Sequence, residues 1–105
     1  MATLKTGNWT VNANSVKGTL AVTQIDADGN LTGSTIYNNE IVGFWDEESR
    51  KITFIRVTDK TKPNTFQIYT GYLMGTATIA GSFEAFQGTG GAAKRNVFGW
   101  FATFP

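Results

Sequence analysis

Residues 16–37 read Val16-Lys17-Gly18-Thr19-Leu20-Ala21-Val22-Thr23-Gln24-Ile25-Asp26-Ala27-Asp28-Gly29-Asn30-Leu31-Thr32-Gly33-Ser34-Thr35-Ile36-Tyr37. Leu20 and Val22 share one parity while Thr19, Ala21 and Thr23 take the other, the alternation of a half-buried strand. Asp26-Ala27-Asp28-Gly29-Asn30 then supplies turn chemistry, with a glycine available for positive φ. Leu31–Tyr37 resumes in β-favouring residues. The stretch is a hairpin, and the rest of the chain repeats its grammar.

Working outward, the same signals predict eight strands: Asn8–Asn12, Val16–Ile25, Leu31–Tyr37, Glu40–Trp45, Lys51–Thr58, Thr65–Met74, Thr76–Phe86 and Asn96–Phe104. Asn38-Asn39 reads as a two-residue turn, Asp46–Arg50 and Asp59–Asn64 as polar connectors, and Gln87–Arg95 as a Gly/Ala-rich loop. No window carries apolar residues at i, i+3, i+4 and i+7, so no helix is expected. Short consecutive strands joined by hairpin-length turns predict an all-β, antiparallel up-and-down barrel of eight strands, a closure that removes exposed edges. A two-sheet sandwich is the competing architecture. The 105 residues, 1–105, make one domain.

Composition narrows the chemistry. The chain has neither cysteine nor histidine, which removes thiolate and Ser-His mechanisms and the usual zinc ligands. No catalytic residue, metal or cofactor is therefore expected. Nine basic residues are offset by eight acidic ones, for a net charge of +1; nucleic acid is not an expected partner. No apolar run is long enough to span a bilayer as a helix, and Met1–Gly7 lacks a signal-peptide core, so no membrane association and a cytoplasmic location are expected. The acidic residues Asp26, Asp28, Asp46, Glu47 and Glu48 read as solvated turns, and Gly88-Thr89-Gly90-Gly91 as a hairpin loop without the lysine and helix of a phosphate cradle.

Two late strands are apolar on both faces. Phe66, Ile68, Tyr72 and Met74 oppose Tyr69 and Leu73, while Phe98, Trp100 and Phe104 oppose Val97 and Phe101. In a one-layer barrel the outer face then needs a second copy to cover it. Self-association through strands six to eight is expected, with Phe66, Tyr72, Phe98, Trp100 and Phe104 at the interface.

Inside the barrel, Trp9, Phe54, Tyr69, Phe83 and Phe86 either line a pocket or fill a solid core. Arg56 shares parity with Ile52 and Phe54. Facing inward, it would be a buried cation paired with Glu84 or orienting an anionic ligand. If Thr53, Ile55 and Val57 face inward instead, it is a solvated surface residue, the reading the sequence favours.

Gly7-Asn8-Trp9, Ser15, Asp28-Gly29-Asn30-Leu31-Thr32-Gly33-Ser34 and Tyr69-Thr70-Gly71 together resemble the avidin family, within the calycin group of eight-stranded barrels. The resemblance implies a barrel that binds a small molecule at its open end. It aligns Ser15 with the serine that bonds the ureido oxygen of biotin, with Asn12 one step from the expected asparagine position at Val11. Thr35 stands where the family has tyrosine. Ile55, Tyr69 and Phe83 or Phe86 stand where it has tryptophans. Phe98-Gly99-Trp100-Phe101 lacks the expected acidic residue, and the loop that covers biotin shrinks to Asn38-Asn39. The expected function is thus a non-enzymatic, avidin-like binder of a small, mostly apolar ligand, not holding biotin tightly, with Ser15, Asn12, Thr35, Tyr69, Phe83, Phe86 and Arg56 at the site. The alternatives are an oligomeric barrel with a filled interior and a lectin stacking sugars on Trp45 or Tyr37.

Overall fold

The computed structural model describes residues 3–35, 39–57, 65–87 and 94–105, with the backbone alone at 57, 65, 86, 87 and 94–96. Its strands are β1 (Gly7–Ala13), β2 (Val16–Ile25), β3 (Asn30–Thr35), β4 (Asn39–Asp46), β5 (Lys51–Val57), β6 (Thr65–Met74), β7 (Thr78–Gln87) and β8 (Lys94–Thr103). Each pairs antiparallel with the next, and Thr10–Ala13 of β1 pair with Trp100–Thr103 of β8, closing the barrel. That pairing excludes the sandwich.

The tight turns are built from local polar chemistry. Asn14 and Ser15 both take positive φ, 49° and 71°, joining β1 to β2, as a two-residue hairpin requires. Between β2 and β3 the Asp26 carboxylate accepts from the backbone N–H of Asp28 (2.9 Å) and Asn30 (2.8 Å) and from Asn30 Nδ2 (2.9 Å). These bonds, that from the Asn30 side chain foremost, hold the Asp26 carboxyl below the ordinary carboxylate range. Gly29, at φ 87°, completes the turn.

Several predicted boundaries move. β7 starts at Thr78 rather than Thr76, because Gly75 at φ 66° opens a turn that occupies 75–77. Asn39 pairs with Thr35 and opens β4, so it is a strand residue and not half of a turn. β7 runs on to Gln87 and β8 begins at Lys94, shortening the connection between them. Ile36–Asn38, residues 58–64 and the glycine-rich 88–93 lie outside the described residues.

Alternation sorts side chains into a core and an outer face. Trp9, Val11, Leu20, Val22, Leu31, Ile41, Ile52, Phe54, Tyr69 and Ile79 are fully buried, each such burial stabilising by about 1.5–3 kcal/mol. One end is plugged. Leu4 is buried ahead of β1, Trp9 Nε1 donates to the Lys5 carbonyl (2.9 Å), and the Phe104 ring lies 5.1 Å from that of Trp9. The opposite end of the barrel, marked among the described residues by the Asn14-Ser15 turn, is here called the mouth.

Candidate functional site

Register stacks the inward side chains in rows around the wall. Midway up the barrel, Phe54, Tyr69, Phe83 and Phe98 are direct cross-strand partners on β5 to β8. Phe54 stacks on Tyr69 (4.7 Å, 11°) and Tyr69 on Phe83 (4.7 Å, 14°), with Phe98 tilted against Phe83 at 5.3 Å. Trp100, one row deeper, meets Phe54 and Tyr69 edge-on at 5.7 and 5.5 Å. Its indole N–H is shared between the carbonyls of Thr70 (3.2 Å) and Ser82 (3.1 Å). These rings form a packed floor.

One row nearer the mouth the wall turns polar. Ile41, Arg56 and Gln67 are cross-strand partners on β4 to β6. Arg56 is 7% exposed, which corrects the surface reading: Ile52 and Phe54 face inward, and Arg56 shares their parity. Its Nε donates to Asn39 Oδ1 (2.8 Å) and its Nη1 to Gln67 Oε1 (3.0 Å). Gln67 Oε1 also accepts from the Tyr69 hydroxyl (2.8 Å). Burial pushes the Tyr69 phenol above its ordinary range, against the opposing pull of the Arg56 hydrogen bond and charge. On β3, Thr35 is 1% exposed and its hydroxyl makes no hydrogen bond.

Thr35, Arg56, Tyr69 and Phe83 of the sequence-predicted set are therefore brought together on the inner wall. Ser15 and Asn12 are not. Val11 and Ala13 take the inward positions of β1, leaving Asn12 on the outer side, where its Oδ1 accepts from the exposed Ser15 N–H (2.9 Å) as a turn brace. The Phe86 side chain lies outside the described residues; its backbone pairs with Phe66 and Arg95. Ile55 is on the outer face, and Phe54 is the inward aromatic of β5.

The interface set is corrected on β8. Trp100 is buried, and Phe98 and Phe104 pack against the core, so the outer face of that strand carries Val97 and Phe101 instead. Both parities of β8 are apolar, and the larger rings fill the interior. Phe66 is half-buried and Tyr72 exposed. Trp45 is buried, its Nε1 donating to Glu47 Oε1 (2.7 Å), so it offers no rim platform for a sugar. Tyr37 lies outside the described residues. Sequence reasoning missed Asn39 and Gln67. Gln67 was legible from its parity with Tyr69, whereas Asn39 was hidden by its assignment to a turn. Among the described residues no group of three or more His, Cys, Asp or Glu is placed to hold a metal ion.

This eight-stranded antiparallel closed barrel is the avidin-like fold. The chain is similar to apo shwanavidin in one crystal form at 18% identity, with a TM-score of 0.69 and 97% of each chain covered. A second form gives 17% identity and a TM-score of 0.68, covering 96% of this chain and 98% of that one. The rhizavidin–biotin complex gives 16% identity and a TM-score of 0.70, covering 95% of this chain and 94% of that one. No protein-family model matches the chain, and no curated protein does.

Proposed function

We propose that the protein is a non-enzymatic barrel that binds a small, mostly apolar ligand at its mouth; its structural neighbours rhizavidin and a variant of shwanavidin form complexes with biotin. The observation that carries this reading is the polar layer Thr35–Asn39–Arg56–Gln67–Tyr69 set over a packed aromatic floor. A mostly apolar site with a few convergent polar groups is the usual anatomy of small-molecule recognition.

Biotin itself is not the expected tight ligand. Asn12 and Ser15 brace a turn, Thr35 replaces a phenol, and Phe98–Phe101 hold no carboxylate. Each polar group of biotin left unsatisfied forfeits about 1–3 kcal/mol. Self-association through the outer face of β6 to β8 belongs to the same proposal.

Isothermal titration with biotin, benzamide and benzoate tests the reading. Binding of at least one probe is expected, with biotin held no tighter than about 1 μM. Nanomolar biotin binding would overturn the loss of the biotin site. Failure of all three would favour the solid barrel, whose interior serves only assembly.

A further inference from the structure

Five of the chain's eight acidic residues, Asp26, Asp28, Asp46, Glu47 and Glu48, stand on or beside the two turns that join β2 to β3 and β4 to β5 at the plugged end. Among the described residues, the basic side chains near that end turn elsewhere. Lys5 Nζ lies 5.2 Å from the centre of the Phe104 ring, Lys51 Nζ lies 6.0 Å from that of Tyr72 on β6, and the Arg50 guanidinium donates to the Gly75 carbonyl. The two turns therefore hold a negative potential at the foot of the outer wall. Directly above them, on the outer face of β3 to β5, lies an apolar groove of about 360 Å³ whose lining includes Thr32, Val42, Phe44, Thr53 and Ile55. A second cavity of about 360 Å³, with Asp26, Asp28, Asp46 and Glu47 in its wall, abuts that groove. Gly29 and Trp45 line the acidic cavity and Asn30 and Phe44 the apolar one, and the Trp45 N–H donates to the Gly29 carbonyl (2.8 Å) where they meet. Phe44 and Asp46 are both exposed and stand two residues apart on one face of β4, which sets ring and carboxylate about 7 Å apart along the strand.

We propose that this groove on the outer wall binds a small arylalkyl ammonium, its ring against Val42, Phe44 and Ile55 and its charged head at Asp46 and Asp28. The site is separate from the mouth and stands whether or not the interior takes a ligand. Charge complementarity selects the cation, since an anion of the same shape would meet two acidic turns. Asp46 accepts from Ser49 Oγ (2.7 Å) and from the Glu48 N–H (3.3 Å), and an ionised carboxylate has further lone pairs to offer an ammonium. Asp26 carries the bonds of its turn, while Asp28 is exposed at the rim of the acidic cavity. A groove of this volume is the size of a small-molecule site. A peptide is the poorer fit, because β4 is paired with β3 on one side and β5 on the other and offers no strand edge to extend.

The test titrates phenethylammonium, 2-phenylethanol and 3-phenylpropionate, alike in ring and length but unlike in charge, onto the full chain by nitrogen-edited NMR. Phenethylammonium is expected to shift the backbone amides of Asp28–Thr32 and Val42–Asp46. At low salt it should bind at least about 10-fold more tightly than the alcohol, with the propionate weakest. Raising the salt to about 0.5 M should erase that preference. Asp28→Asn combined with Asp46→Asn is expected to do the same while leaving the alcohol's affinity unchanged. Phe44→Ser should weaken amine and alcohol alike, by about 10-fold. Should the double variant fail to fold, Asp28→Asn alone decides, with a loss of about 3-fold for the amine only. Equal affinity for amine and alcohol overturns the proposal. So do shifts confined to Thr35, Asn39 and Gln67, which would place the amine in the mouth. Shifts around Phe44 that follow protein concentration with no probe added assign the groove to a second copy and overturn it too. Silence with all three probes also overturns it, and leaves the reading of the interior to its own titration.

Discussion

Glu47 ties the segment ahead of β1 to the β4–β5 turn. Its carboxylate accepts from the Thr3 backbone N–H (2.6 Å), from the Thr3 hydroxyl and from Trp45 Nε1. These bonds, that of the Thr3 hydroxyl foremost, lower its pKa from 4.5 to about 2. A folded-state pKa below the unfolded value means the unfolded chain takes up the proton first. The contribution of Glu47 is thus present at neutral pH and is lost as pH falls through that window. Thermal unfolding midpoints should therefore drop more steeply from pH 6 to about pH 2 in wild type than in Glu47→Gln, which has no proton to gain. Superimposable pH profiles would show that Glu47 does not couple to folding. Thr35 poses the opposite case, a buried hydroxyl with no partner. Thr35→Val keeps the shape and removes the orphan, and should stabilise the ligand-free protein by about 1 kcal/mol in chemical denaturation. A destabilised variant would mean the hydroxyl is satisfied in solution.

At the scale of elements, the strands depend on glycines where they press together. Gly71 and Gly81 are cross-strand partners, and Gly81 is also the partner of Trp100. A Cβ at Gly81 would fall 1.9 Å from the Thr70 carbonyl oxygen, and one at Gly71 would fall 2.8 Å from the Trp100 ring. The pair is the seat on which the indole lies while it bonds the carbonyls of Thr70 and Ser82. Gly81→Ala must then part β6 from β7 and tilt the indole. A loss of about 2–4 kcal/mol is expected in urea unfolding, with altered near-ultraviolet circular dichroism. Gly75→Ala is the control, since its Cβ would meet nothing within 4 Å, although its positive φ carries a smaller penalty. Equal losses at the two positions would refute the seat. The same elements show what the chain made readable. Hairpin turns and period-two alternation placed all eight strands, because both signals are local. Which face of β5 and β8 points inward was not readable, because Ile52/Phe54/Arg56 and Thr53/Ile55/Val57 are both plausible cores. Only the cross-strand row of Phe54, Tyr69, Phe83 and Phe98 decides between them. For the candidate site, the family resemblance pointed to Thr35, Tyr69 and Phe83, which face inward, and to Asn12 and Ser15, which sit at a hairpin too tight to turn them inward.

For the whole molecule, closure leaves apolar side chains outside, grouped among the described residues into two patches. One, on β3 to β5, carries Val42 and Phe44, 60% and 61% exposed, beside Ile55, around a groove of about 360 Å³. The other, on β6 to β8, carries Tyr72, Met74, Val97 and Phe101. Exposed large apolar side chains grouped this way favour burial against another surface. A second copy of the chain presents the same patch, and a two-fold contact satisfies both copies at once. On the β6–β8 patch Tyr72 and Phe101 both oppose Ala80 of β7 in register, so two large rings flank one small side chain. The expected outcome is a concentration-dependent oligomer in sedimentation velocity, reduced towards the 11.4 kDa monomer by Tyr72→Lys with Phe101→Lys. Each lysine puts a charge into a contact that would otherwise be dry. Phe44→Lys, on the other patch, should leave the oligomer intact. If Phe44→Lys is the variant that dissociates it, the contact lies on β3 to β5. A wild-type protein that sediments as a monomer at about 100 μM would remove self-association from the account.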